Sequence, residues 1–96
     1  MSLEIRWLRE AIRNMVEEGE YIALDDPDMA REVTRRIRAA VDNLAQFPHL
    51  GRPGRVSGTR ELVVPKTSYI VPYRVYEDHV EIVRVLHAAR KWPKNF

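Results

Sequence analysis

SYIVPYRVYEDHVEIVRVLH, Ser68 to His87, decides the fold. It reads as two strands. In the first, Tyr69, Val71, Tyr73 and Val75 alternate with Ile70, Pro72, Arg74 and Tyr76, the period of two that a pleated strand imposes. Glu77-Asp78 interrupts the apolar pattern as a turn, and His79 to His87 resumes it. If the turn is tight, residue 75 lies opposite 80 and residue 74 opposite 81. That register sets Tyr69, Val71, Tyr73 and Val75 beside Val80, Ile82 and Leu86 on one face. It sets Arg74 across from Glu81 on the other, a cross-strand ion pair. Pro72 cannot donate to a ladder, so it predicts a bulge or an unpaired position. The same parity puts Arg84 on the core side, where its guanidinium must snorkel to the rim or hold a carboxylate.

The second face of this hairpin carries Ile70, Pro72, Arg74, Tyr76, Val83, Val85 and His87. It is too apolar for water, and a chain with one helical layer covers only one face of a sheet. The expectation is that a partner protein covers the other, touching Ile70, Arg74, Tyr76, Val83 and Val85.

Upstream, Leu3, Ile5 and Trp7 alternate with Glu4 and Arg6 as a short strand. The period then changes to helical: Leu8, Ile12, Met15, Val16, Gly19, Ile22 and Ala23 form one stripe. Asp25-Asp26-Pro27-Asp28 ends that helix and starts another, with Asp26 as cap, Pro27 at the first helical position and Asp28 at the positive end of the dipole. Ala30, Val33, Ile37, Ala40, Val41 and Leu44 form the second stripe, and the short connection predicts an antiparallel helical hairpin. Arg31, Arg35 and Arg38 read as a solvated face with intrahelical ion pairs in preference to a nucleic-acid surface. Phe47-Pro48 closes the helix. HLGRPGRVSG, His49 to Gly58, reads as a loop without regular structure. It does not match a phosphate-binding loop, which needs Gly-Lys-Ser/Thr after a strand. Arg60 to Val64 is a further strand, with Pro65-Lys66-Thr67 as its turn. The expected architecture is α+β: β-α-α-β-β-β, a helical hairpin packed on one face of a small, mainly antiparallel sheet, with residues 1–96 forming one domain.

The chain has 96 residues, 16 Lys and Arg against 14 Asp and Glu, and no cysteine. A disulfide scaffold and thiolate metal sites are therefore excluded, and neither metal nor cofactor is expected. No apolar run is long enough to span a bilayer and no signal-peptide pattern opens the chain, so a cytoplasmic location without membrane association is expected. The cations concentrate in the second half, which suggests an acidic partner or nucleic acid.

FPHLGRPGRVSGTREL, YIVPYRVYED and VEIVRVLHAARKWP, in this order and spacing, resemble the ParE branch of the RelE/ParE toxin superfamily over nearly the whole chain. The resemblance implies the toxin of a bacterial type II toxin–antitoxin pair, held in a hetero-oligomer with a ParD-like antitoxin that wraps it. The mixed sheet face and the helical hairpin are the natural receiving surfaces. ParE-like members are associated with poisoning DNA gyrase, and RelE-like members are ribosome-dependent mRNA endonucleases. RNA cleavage needs an activator for the 2′-hydroxyl, a proton donor for the leaving group and cations around the phosphate. In RelE-like chains, lysines on the strand before the central one and an arginine after its tyrosine supply much of this. Here Glu61 and Val63 stand where the lysines would be and Ile70 where the arginine would be, while Arg90 keeps a matching position. The resemblance therefore implies a gyrase inhibitor with no catalytic residues. An mRNA endonuclease using His87 and Arg90 is the alternative, and a non-toxic antitoxin-binding module is a third reading. Arg90, Lys91, Trp92, Lys94 and Phe96 combine cations with aromatic area, the composition of a binding hot spot, and are the expected target-binding residues. The competing reading has Trp92 folding back over the sheet.

Overall fold

A computed structural model describes residues 2–96. Strand β1 spans Glu4–Trp7, helix α1 Arg9–Ala23 and helix α2 Pro27–Asn43. Asp26 caps α2 as expected, accepting the Met29 amide at 3.0 Å. The two stripes meet the sheet through Ala11, Met15, Val33, Ile37 and Val41, all buried. The arginines of α2 lie on its solvated side. Arg31 pairs with Asp28, and Arg35 and Arg36 with Glu32.

The remaining strands are β2 Arg52–Pro53, β3 Arg60–Val63, β4 Tyr69–Val75, β5 His79–Ile82 and β6 Leu86–His87. They form one mixed sheet in the order β1-β5-β4-β3-β2. β1 runs parallel to β5, and β4 pairs antiparallel with β3, β5 and β6. Val75 lies opposite Val80 and Arg74 opposite Glu81, as the tight turn requires; the ion pair closes at 3.4 Å. The core lies between the hairpin and the face bearing Leu62, Val71, Tyr73, Val80 and Ile82.

The third strand of the sequence reading is two strands, and Pro72 is the reason. The amides of Val83 and Arg84 both turn toward the Pro72 carbonyl, at 2.9 and 3.4 Å. Two residues thus oppose one, the signature of a bulge. Beyond it the register is shifted by one, pairing Ile70 with Leu86 and Tyr69 with His87. Pro72 has no N–H to give back to the Val83 carbonyl, and Arg84 Nη1 supplies that hydrogen bond at 2.8 Å. Arg84 therefore stays out of the core. Val85 changes faces and joins the helix-side core, its amide donating to Asn14 Oδ1 at 3.1 Å. His87 moves to the face of Tyr69, and Leu86 takes the opposite one.

A second correction concerns the mixed sheet face. Ile70, Pro72 and Val83 on it are buried within this one chain, so no partner is needed to cover them. On that side of the sheet the loop from Gly51 to Thr59 reaches Glu61 through Arg52 and Arg55, and Arg55 meets the Trp92 ring of the C-terminal segment. That loop is also more regular than its composition suggests: β2 pairs Arg52 with Glu61 and Pro53 with Arg60. Gly51 makes this approach possible. Its amide donates to the Tyr73 hydroxyl at 2.8 Å, and that hydroxyl donates to the Pro48 carbonyl at 2.7 Å. A Cβ on Gly51 would lie 2.7 Å from the Tyr73 ring and 2.9 Å from the Glu61 carbonyl. Overpacking of this kind costs about 1–3 kcal/mol. Gly51→Ala is expected to lose that much in denaturant unfolding, with loss of the protection of the Gly51 amide in hydrogen exchange.

Candidate functional site

Three features outside the core carry charge, aromatic area or exposed apolar surface. The first is a clasp on the second sheet face. Glu61 projects there from β3, its side chain only 4% exposed. It accepts the Arg55 amide at 2.8 Å, Arg55 Nε at 3.1 Å and Arg52 Nη2 at 3.2 Å. Burial pushes the Glu61 carboxyl upward, but the Arg55 amide and the two guanidinium groups outweigh it and hold the group below the usual carboxylate range. The Arg55 guanidinium lies 3.6 Å from the centre of the Trp92 ring, a cation–π contact. Trp92 Nε1 donates to the His87 carbonyl at 3.1 Å. Trp92 thus folds back on the chain, as the competing reading held, and is only partly exposed.

The second feature joins α1 to the end of β6. Glu18 accepts the Tyr69 hydroxyl at 2.8 Å and Arg90 Nη1 at 2.7 Å on each carboxylate oxygen. Arg90 also lies over Tyr21, 5.0 Å from the ring centre. Burial, then the Glu18 hydrogen bond, pushes the Tyr69 phenol up to about 12, so it is a donor and not a base at neutral pH. His87 meets the Tyr69 ring edge-on at 5.4 Å, and its Nδ1 accepts the Ala89 amide at 3.1 Å. His87 and Arg90 do lie together, but Arg90 is neutralised by a carboxylate. Lys91 and Lys94 are exposed, and Phe96 sits beside the Arg84 guanidinium at 5.5 Å.

The third feature is a groove of about 360 Å³ on the helical hairpin, lined by Trp7, Ile12, Met15, Val16, Arg38 and Asp42. Ile12 and Val16 are each about half exposed. These two lie in the helical stripe read from the sequence, but their exposure was not legible there. Of the residues expected to meet a partner on the sheet, Arg74 and Tyr76 are accessible and Ile70, Val83 and Val85 are buried. Their burial follows from the bulge and the clasp. Among the described residues no group of three or more His, Cys, Asp and Glu side chains could hold a metal ion, and no helix is long and apolar enough to cross a membrane.

The sequence profile of the family described as ParE toxin of type II toxin–antitoxin system, parDE, matches residues 5–92. This chain belongs to that family. Y4kP of Sinorhizobium fredii is 52% identical over 90 residues, covering 94% of this chain and 93% of that protein. Toxin RelE2 of Caulobacter vibrioides is 32% identical over 87 residues, covering 91% and 97%. A solved structure of the chromosomal ParDE toxin–antitoxin system from P. aeruginosa superimposes with a TM-score of 0.80 at 26% identity, covering 90% of this chain and 96% of that one. The RelBE2 toxin–antitoxin complex from Mycobacterium tuberculosis superimposes with a TM-score of 0.61 at 23% identity, covering 91% and 99%, and shares the fold. The α+β plan read from the sequence, two helices packed on a mixed sheet, is shared with these structures; relative to that reading, this chain has β2 and a split last strand in addition.

A buried carboxylate stabilised mainly in its ionised form links stability to acid. The folded-state value of Glu61 lies below its unfolded one. Its contribution is therefore complete above the unfolded carboxylate range and is lost as pH falls through the folded value. Glu61→Gln should lower the melting temperature at neutral pH, and the difference from the parent chain should shrink as the solution is acidified. The two guanidinium groups left behind are half exposed and can be hydrated, so the loss is that of charge-assisted hydrogen bonds, about 1.5–3 kcal/mol, and thermal unfolding across a pH series measures it.

Proposed function

We propose that this ParE-family toxin acts in the bacterial cytoplasm by binding DNA gyrase, and that a ParD-like antitoxin silences it in a hetero-oligomer. The observation that carries the non-nuclease reading is Glu61. Where ribonuclease chemistry would need a cation beside the scissile phosphate, this chain buries an ionised carboxylate and spends two arginines on it. Ile70, at the other expected cation position, is buried and apolar. Arg90 is tied to Glu18, so its charge is not free to meet a phosphate. The ParDE structure from P. aeruginosa supports an antitoxin partner. The antitoxin's apolar segment is placed on the hairpin groove at Ile12 and Val16, with Arg74 and Tyr76 as sheet contacts. The exposed cations Lys91 and Lys94 face the target, and Trp92 serves to hold the segment that presents them.

The relative named Toxin RelE2, 32% identical, favours a second reading, a ribosome-dependent mRNA endonuclease using His87 and Arg90. Purified chain added to a supercoiling assay separates the two. Inhibition of gyrase without toxin-dependent cuts in mRNA on translating ribosomes is expected. Discrete cuts abolished by His87→Ala would replace the gyrase reading, and neither effect would leave an antitoxin-binding module. Lys91→Glu with Lys94→Glu should weaken gyrase inhibition and leave the melting temperature unchanged. Deletion of Trp92 to Phe96 should lower the melting temperature as well, because it removes the ring under Arg55.

The antitoxin site has its own test. Hot-spot truncations cost about 2 kcal/mol or more each, so Ile12→Asp with Val16→Asp should weaken antitoxin binding by about a thousandfold in calorimetry. Both side chains are half exposed, and the fold should tolerate the change.

A further inference from the structure

The sheet has two outer edges, and they are guarded differently. β1 presents Glu4 and Arg6, paired with each other at 2.7 Å and more than half exposed. Charge on an edge strand blocks pairing with another chain. The β3 edge is only partly covered, because β2 is two residues long. The hydrogen-bond alternation along β3 is fixed at both ends. The Val64 amide donates inward to the Tyr69 carbonyl at 3.1 Å, and the Thr59 carbonyl accepts from the Gly54 amide on the outer side at 2.8 Å. Residues 59, 61 and 63 therefore turn their backbone groups outward. Arg52 pairs with Glu61, but among the described residues nothing pairs with Val63 on that side. Leu50, which would be next in line, turns back instead and donates its amide to the Phe47 carbonyl at 3.1 Å.

The open position is flanked by apolar surface. Val63, Leu50 and Phe47 are each at least half exposed. A groove of about 420 Å³ is lined by Val63 and Leu50, with Ala40, Leu62 and Pro65 in its wall. The rim is basic. Arg52 shares the single carboxylate of Glu61 with Arg55, and Lys66, exposed after Pro65, has no ion pair among the described residues. Unpaired backbone groups beside an apolar groove are the elements of strand addition, in which main-chain bonds hold an extended peptide and pockets select its alternate side chains.

We propose that the β3 edge at Val63 receives an extended segment of a partner protein, with apolar side chains at alternate positions and carboxylates at its ends. The charge of the rim selects this occupant. Two copies of the chain joined antiparallel about Val63 would bring Lys66 of each toward Arg52 of the other, which lies beside Glu61, and like charges across a pairing suppress it. Nucleic acid would match the cations but leave Leu50, Phe47 and Val63 unburied. The site is separate from the hairpin groove and does not depend on which target the toxin has.

The test uses the whole isotope-labelled chain and a synthetic peptide, acetyl-Glu-Val-Thr-Val-Thr-Val-Glu-amide. Amide resonances of Leu62, Val63 and Lys66 should shift on titration, and exchange of the Val63 amide should slow by about tenfold at saturation, as pairing protects it. The same peptide N-methylated at its central residues keeps the side chains and loses the backbone donors, and should not bind. Replacing its glutamates by lysines should weaken it by about tenfold, a difference that salt removes. Val63→Pro could disturb β3, so Leu50→Asp is the companion variant, and it should weaken the peptide without moving the melting temperature. Equal binding of the N-methylated peptide, equal binding of the lysine peptide, or no shift at millimolar peptide would each overturn the proposal. So would concentration-dependent self-association through the same resonances, or displacement of the peptide by duplex DNA.

Discussion

The missing N–H of Pro72 organises much of this molecule. It sits in β4, the middle strand of the sheet, which pairs on both sides. On the β3 side the position needs no donor, because Glu61 opposite it turns its backbone outward. On the β5 side a donor is due and absent, so the ladder breaks and two residues crowd against one carbonyl. The bulge keeps the Pro72 carbonyl satisfied through Val83 and Arg84, and the guanidinium of Arg84 replaces the donor that proline lacks. An unpaired buried carbonyl would cost about 1–3 kcal/mol, which is why a charged side chain is recruited within one residue of the defect. Everything after the bulge is displaced by one position. Val85 reaches the helix-side core, and His87 and the tail leave the sheet at the α1 side, where Glu18 holds Arg90.

The clasp around Glu61 closes the other face. A carboxylate buried this deeply needs several donors to remain ionised. The loop that supplies them can fold over the sheet because Gly51 and Gly54 leave room: a Cβ on Gly54 would lie 2.2 Å from Thr59 Oγ1. Arg55 then serves two partners, the carboxylate below and the Trp92 ring beside it. Loop, strand and tail are thereby joined through one guanidinium. The same arrangement has a functional consequence. Two half-exposed guanidinium groups meet one carboxylate, so the clasp is anchored inside the fold and still leaves positive charge at its rim.

With both faces of the sheet covered, the surface available to partners lies elsewhere. Exposed apolar side chains lie on the hairpin groove at Ile12 and Val16, at the turn between the helices at Leu24, and at the β3 edge around Val63, Leu50 and Phe47. Separate patches of this kind suit a partner that wraps the chain more than one that docks on a single plane. The membership in a toxin family whose structural relatives are toxin–antitoxin assemblies fits a small protein with such dispersed apolar area.

The local rules were legible in the chain itself. Period-two alternation marked β4 and β5, period-3.6 stripes marked both helices, Asp26-Pro27 marked the start of α2, and Arg74 opposite Glu81 marked the hairpin register. These signals act between near neighbours, and short-range geometry dictates them. Pro72 announced a bulge or an unpaired position for the same reason. The sequence could not say on which partner residue the bulge would fall, and that single slip decides whether Val85, Leu86 and His87 face the helices or the opposite side. Nor could it show that Arg55 would reach Glu61 and Trp92, because residues six and thirty-seven positions apart meet only once β2 has paired and the tail has turned. The cover on the second face, the neutralised Arg90 and the open edge at Val63 all depend on such contacts. Pairing across long sequence separation is set by which hydrogen bonds and charges remain unsatisfied after the local elements have formed, and only the tertiary structure contains that remainder.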